Sequence, residues 1–189
     1  DKVVQKHHKQ GKPVLINTLI QSTLLDIYGK DIKRKEEIFK YIDRSAKKFY
    51  KNIPQLRQGT LEVLNKITNI NIPIGIYSHA QNDWTERKVK YIQKMYLEKY
   101  DEEIKIPFYS TPIEKKKDEE GWRDAFKAFN FNPESTLVVG DNLQSDILPA
   151  KNIGVRNLVM INSQYNGDSN SQEMEDIIRI QDIDDLLYL

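Results

Sequence analysis

From Gly59 onward, short apolar runs alternate with amphipathic stretches of helical period, and few folds satisfy that alternation. Residues 60–67 put Leu61, Leu64 and Ile67 on one face of a helix, and residues 72–77 read as a strand buried on both faces. A long helix over 84–96 follows, then an extended piece at 106–109, a helix at 119–129, a strand at 136–139 and a helix at 144–152. Strand 157–161, an extended 176–180 and a helical turn at 183–187 complete the series. Strands separated by helices pair in parallel, because the helix supplies the crossover. The chain is therefore expected to be α/β, a three-layer Rossmann-like parallel sheet with helices on both faces.

The first 56 residues follow a different pattern, Lys-rich and helical. Leu19, Leu24, Leu25 and Ile27, stopped at Tyr28-Gly29, mark one helix. Ile38, Phe39, Tyr41, Ile42, Ala46 and Phe49, closed by Pro54, mark a second. Pro13-Val14-Leu15-Ile16 reads either as a short strand or as the lead into the first helix. The expected division is a small helical cap at 1–56, with 13–16 open as a degenerate first strand, and an α/β core at 57–189. Asp rather than Met opens the chain, as in a fragment or a processed product. YNGDSNSQ (165–172) has loop composition, and KYDEEIK (99–105) reads as a solvated face.

Composition removes several function classes. Twenty-nine Lys and Arg against 28 Asp and Glu leave a net charge of +1, too balanced for a nucleic-acid or membrane-surface binder. With no cysteine, disulfides, thiolate metal sites and cysteine nucleophiles are out. No apolar stretch reaches the roughly 18–20 residues of a bilayer span, and DKVVQKHHKQGK lacks the apolar region of a signal peptide. A cytoplasmic location is the default expectation. Neither a dinucleotide-binding nor a P-loop glycine pattern is present.

The sharpest chemical signal is Val138-Val139-Gly140-Asp141-Asn142-Leu143-Gln144-Ser145-Asp146. In α/β sheets the ligand crevice lies at the carboxyl ends of the strands, so Asp141 falls at a strand tip with Asp146 folded back beside it. Two carboxylates there suit Mg²⁺, a hard cation that takes few protein ligands and keeps waters. The plainer reading has Asp146 capping the next helix and Asp141 starting a turn. Ser78, ending Ile74-Gly75-Ile76-Tyr77, places a hydroxyl at another strand tip, where helix amides would cradle a phosphate; helix capping is the commoner use of such a serine. Lys115-Lys116-Lys117 precedes a helix and, taken alone, is a solvated basic tract. Of His7, His8 and His79, only His79 is placed to touch a ligand. Trp84 and Trp122 sit on helical faces as core residues.

In this order and spacing, Gly59 to the C-terminus resembles the haloacid dehalogenase-like (HAD) superfamily core. Gly59-Thr60-Leu61-Glu62-Val63-Leu64 resembles the glycine-led helix that follows the family's cap, and Ser78 matches its second motif. Lys116 matches the lysine motif best, judged by the offsets to Trp122, Ala125-Phe126, Phe129 and Asn132-Pro133-Glu134. Asp141 and Asp146 match the fourth motif, and Ala150-Lys151-Asn152-Ile153-Gly154-Val155 its usual continuation. The resemblance implies a Mg²⁺-dependent phosphatase of a small phosphorylated metabolite. Ser78 and Lys116 would hold phosphoryl oxygens with His79 alongside, and Asp141 would ligate Mg²⁺ with Asp146 as ligand or behind it.

The departure lies at the first motif, Asp-x-Asp on the opening strand, which supplies the family's nucleophile and acid/base. This chain contains no Asp-x-Asp. In the look-alike Val14-Leu15-Ile16-Asn17-Thr18-Leu19, neither an amide nor an alkyl group can form an acyl phosphate. Two explanations stay open: the box lies upstream of Asp1, or this is a catalytically inactive domain of the same fold that binds a phosphorylated ligand or a protein. A third reading is an unrelated parallel α/β regulatory domain. If 13–16 supply the central strand, they should lie between the strands at 72–77 and 136–139, with Asn17 facing Ser78 and Asp141. Otherwise 13–23 should be helical.

Overall fold

The computed structural model describes residues 16–53, 55–112, 115–162 and 176–189. Helices α1 (Ile16–Tyr28) and α2 (Lys35–Phe49) form an N-terminal pair. One carboxylate oxygen of Asp43 on α2 accepts from Asn17 Nδ2 at 2.9 Å and from Gln21 Nε2 at 3.1 Å, two side chains one turn apart on α1. The Ile16 amide, an orphan donor of the first turn, donates to the Tyr50 hydroxyl at 3.1 Å. Ile16 is therefore helical and Asn17 faces Asp43, which corrects the strand reading at these two positions. Pro13, Val14 and Leu15 lie outside the described residues.

Beyond Gly59, α3 (Thr60–Asn69), β1 (Ile76–Ser78), α4 (Asn82–Tyr100), β2 (Phe108–Ser110), α5 (Glu119–Phe129), β3 (Leu137–Gly140), α6 (Leu148–Asn152), β4 (Asn157–Ile161) and β5 (Ile178–Ile180) succeed one another. Every strand pairing is parallel, as the alternation requires. The described strands form two sheets, β1-β2 and β3-β4-β5. The predicted strand at 72–77 begins only at Ile76. Pro73 has no N–H to give a ladder, Ile72 is exposed, and the first bond to β2 runs from the Ile76 amide to the Pro107 carbonyl at 2.9 Å.

Side chains alternate across the strands and build a core on each face. On one, Val138, Leu158 and Met160 pack with Trp122 and Phe126 of α5 and Ala150 of α6, and Tyr77 of β1 joins them. On the other, Val159, Ile161 and Ile180 pack with Ile183 and Leu186 of the C-terminal 3₁₀ turn (Ile183–Tyr188). Ile76 and Phe108 meet Leu61 and Leu64 of α3 and Val89 and Tyr96 of α4. The result is the expected α/β, Rossmann-like layering. Trp84 and Trp122 are buried, as their helical positions imply. The 99–105 stretch is not wholly solvated: Ile104 is buried beside Val89 and Tyr96 while its charged neighbours face water. Among the described residues, no helix is long and apolar enough to cross a membrane.

Candidate functional site

The tips of β1 and β3 open on a cavity of about 1510 Å³ whose wall includes Ser78, His79, Lys117, Asp141 and Asp146. At the β3 tip the chain turns through Gly140-Asp141-Asn142 into a π-helical turn (Leu143–Ile147). Asn142 caps that turn, its Oδ1 accepting from the Gln144 and Ser145 amides, both at 3.0 Å. Pro149 supplies no N–H, so the Ser145 carbonyl four residues earlier lacks an α-helical donor, and it accepts the Trp122 indole N–H at 2.9 Å. The wide turn swings Asp146 back under the β3 tip. Its Oδ2 accepts from the Asn142 amide at 3.0 Å and the Asp141 amide at 3.2 Å.

The other oxygen of Asp146 meets Lys117, whose Nζ lies 2.6 Å from Oδ1. Both side chains are buried, at 10 % and 11 % exposure. The ammonium also donates to the Tyr77 carbonyl at 3.3 Å and lies over the Tyr77 and Trp122 rings, 4.6 and 5.2 Å from their centroids. Burial alone would push the Asp146 carboxyl up. The Lys117 charge and the two turn amides outweigh that and hold it below the usual range. Asp146 thus engages Lys117 with one oxygen and the turn amides of Asp141 and Asn142 with the other.

Lys116, the lysine expected from spacing, is exposed and lines a separate polar hollow with Tyr109, Thr111 and Asp124. The register is set at Asp118, whose side chain caps α5 by accepting from the Gly121 amide at 3.2 Å. With α5 so fixed, Lys117 points inward between Tyr77 and Trp122. What singles out one lysine of three is the aromatic pair around its ammonium, and Tyr77 of that pair is 40 residues away in sequence.

Ser78 is half-buried, its Oγ accepting from the Ala80 amide at 3.1 Å, so the hydroxyl keeps its proton to donate. The helix behind it, α4, has Gln81 at its N-cap, so Ser78 does not cap it. His79 Nε2 pairs with the Lys115 carbonyl at 2.7 Å, and burial lowers the pKa of the ring. Asp141 is exposed at the cavity mouth. Partial desolvation, then the charge of Asp146, still push its carboxyl above the usual carboxylate range, with Arg57 and Lys117 pulling the other way. A cation beside Asp141 would relieve that repulsion. Among the described residues, no three His, Asp or Glu side chains cluster as a metal cage. Among the described residues the cavity mouth thus offers one outward carboxylate, a set Mg²⁺ accepts only if waters and substrate oxygens complete it.

Gly140 is required by this packing. A Cβ there would run into the Cβ of Asp146 and lie 2.9 Å from its Oδ2. Gly140→Ala is expected to destabilise the fold by about 1–3 kcal/mol through overpacking, read as a lowered urea midpoint. A midpoint equal to the parent's would mean that Asp146 does not sit against β3.

A family model described as haloacid dehalogenase-like hydrolase matches residues 3–160. No curated protein matches the sequence. Among solved structures, a haloacid dehalogenase-like family hydrolase from Xanthomonas campestris is similar at TM-score 0.59 and 16 % identity, over 88 % of this chain. The chain spans 65 % of that protein's length. A candidate β-phosphoglucomutase from Thermotoga maritima gives TM-score 0.63 at 16 % identity, over 99 % of this chain and 89 % of that one. A hydrolase from Pseudomonas syringae gives 0.57 at 19 %, over 97 % and 80 %. At these identities the structural likeness establishes the fold.

Proposed function

Since the chain belongs to the haloacid dehalogenase-like hydrolases, we propose that it forms the phosphate- and Mg²⁺-binding part of a phosphatase-type site for a small phosphorylated metabolite. One observation carries this reading: a hydroxyl, an ammonium and a carboxylate from three separate elements converge on one cavity at the strand tips. Of the three Lys117 protons, one meets Asp146 and one the Tyr77 carbonyl. The third is left for a phosphoryl oxygen. The Ser78 hydroxyl donates to a second oxygen from the β1 side. Asp141 would hold Mg²⁺, which supplies charge neutralisation for the phosphoryl group. His79, tied to Lys115, flanks the phosphate. Helices α1 and α2 serve as a small cap, and the four lysines of α2 (Lys35, Lys40, Lys47 and Lys48) favour an anionic ligand.

The missing Asp-x-Asp supports a second reading, an inactive domain of the same fold that retains phosphate binding. Both readings require the same ligand contacts. Asp141→Asn is expected to weaken Mg²⁺ binding on the order of tenfold to a hundredfold, measured by calorimetry with tungstate as the phosphate analogue. The exposed Gln144→Ala should leave it unchanged. Equal Mg²⁺ affinity for Asp141→Asn and the parent would remove Asp141 from the site under either reading.

A further inference from the structure

Arg57 stands where the chain enters α3, and it lines the same cavity as Ser78, Lys117 and Asp141. Its backbone is fixed: the Arg57 carbonyl accepts from the Thr60 hydroxyl at 2.8 Å and from the Thr60 amide at 3.3 Å. The guanidinium meets Asp182, the N-cap of the C-terminal 3₁₀ turn, through Nη1 at 3.4 Å. That pair is long, and its side chains are 51 % and 58 % exposed, so it adds little to stability. Nor is it needed to join α3 to the turn. Gly59 packs directly against Asp184, and Lys66 Nζ donates to the Leu187 carbonyl at 2.6 Å. A guanidinium carries five N–H donors. Among the described residues, those of Arg57 find an acceptor at Asp182 alone. The charge of Arg57, like that of Lys117, reaches the Asp141 carboxyl. Asp141 thus has two cations around it, Lys117 buried beneath the strand tips and Arg57 half exposed.

We propose that Arg57 holds a second anionic group of the ligand, so that the site takes phosphorylated compounds that also carry a carboxylate or a further phosphate. This rests on the phosphatase-type reading above, in which Lys117 and Ser78 hold the first phosphoryl group. Arginine suits the role. Its planar fork meets two oxygens of a carboxylate or phosphate at once, and the single Nη1 bond to Asp182 can stay in place meanwhile. Lys117 has no such freedom, because Asp146 and the Tyr77 carbonyl already engage it. The two cations therefore divide the work: the buried ammonium meets the phosphoryl group, and the exposed guanidinium reads what else the ligand carries.

The test is calorimetry on the 189-residue chain with Mg²⁺, using phosphonates, whose P–C bond phosphatase chemistry leaves intact. Carboxyalkylphosphonates of increasing chain length are compared with plain alkylphosphonates of the same length. Alkylene diphosphonates replace the carboxylate with a second phosphoryl group, so the ligand that gains more identifies the second anion. At the best length the dianionic ligand is expected to bind about tenfold more tightly than the plain one, the scale of hydrogen bonds to a charged group. Arg57→Gln should bring the two to equal affinity, and Arg57→Lys should restore part of the difference. Asp182→Asn breaks the ion pair yet can still cap the turn, and it should keep the preference. No preference in the parent at any length, with the plain alkylphosphonate still bound, overturns the proposal and leaves the phosphatase-type reading standing. A preference that survives Arg57→Gln overturns it too. So does one lost equally in Asp182→Asn, which would assign Arg57 to holding the turn. Binding of no phosphonate at all removes both readings.

Discussion

Replacing Lys117 with methionine is expected to lower the unfolding free energy by about 3–5 kcal/mol, because it strands a buried carboxylate without its partner. Methionine fits the aromatic sleeve of Tyr77 and Trp122, so packing is nearly conserved and the loss is electrostatic. The double variant Lys117→Met with Asp146→Asn should recover most of it. The amide keeps an acceptor for the Asp141 and Asn142 amides and brings no charge. A double-mutant cycle in urea isolates the pair. The pH dependence follows from Asp146, whose folded carboxyl lies below its ordinary value. Its contribution is fully present above the unfolded pKa near 3.9 and is lost as pH falls through the lower folded pKa. In Lys117→Met burial, which raises the carboxyl, is opposed by the two turn amides but no longer by the Lys117 charge, so parent and variant should differ most near neutrality and converge in acid. A constant gap from pH 3 to 7 would mean that Lys117 acts through packing alone.

What the sequence made legible, and what it hid, divides along a physical line. The helix at 119–129 and the strand at 157–161 have the predicted bounds. Both are set by local signals: the Asp118 cap and the left-handed stop at Asn130 for the helix, and an apolar run covered on both faces for the strand. The tip carboxylates were readable for the same reason, since Gly140-Asp141 ends an apolar strand. Less local features were not. The π-helical turn at 143–147 exists because Asp146 reaches back to two amides while Pro149 withholds a third bond, a conflict that helical periodicity cannot express. Lys117 rather than Lys116 depends on Tyr77, 40 residues away. Which described strands pair, β1 with β2 and β3 with β4 and β5, is a contact between distant segments, which no window of sequence reports.

These 189 residues, purified alone, are expected to hydrolyse p-nitrophenyl phosphate no faster than buffer with Mg²⁺. Enzymes accelerate such reactions by a million-fold or far more, so the predicted effect is the absence of that entire factor. Among the described residues, the Asp and Glu side chains on the cavity wall are Asp141 and Asp146. Asp146 has both oxygens committed, one to Lys117 and one to the turn amides, and cannot attack phosphorus without breaking the buried pair. Asp141 would have to serve as nucleophile and cation ligand at once, because Asp146 beside it is ionised, held by Lys117 and the turn amides, and has no proton to give the leaving group. Ser78 and Lys117 can orient a phosphoryl group, but orientation without a nucleophile yields binding and no turnover. The expected result is therefore tungstate binding that depends on Lys117 and Asp141, together with a flat hydrolysis trace. Mg²⁺-dependent hydrolysis well above buffer, abolished by Asp141→Ala, would show that Asp141 is the nucleophile and that the cation is held by other groups.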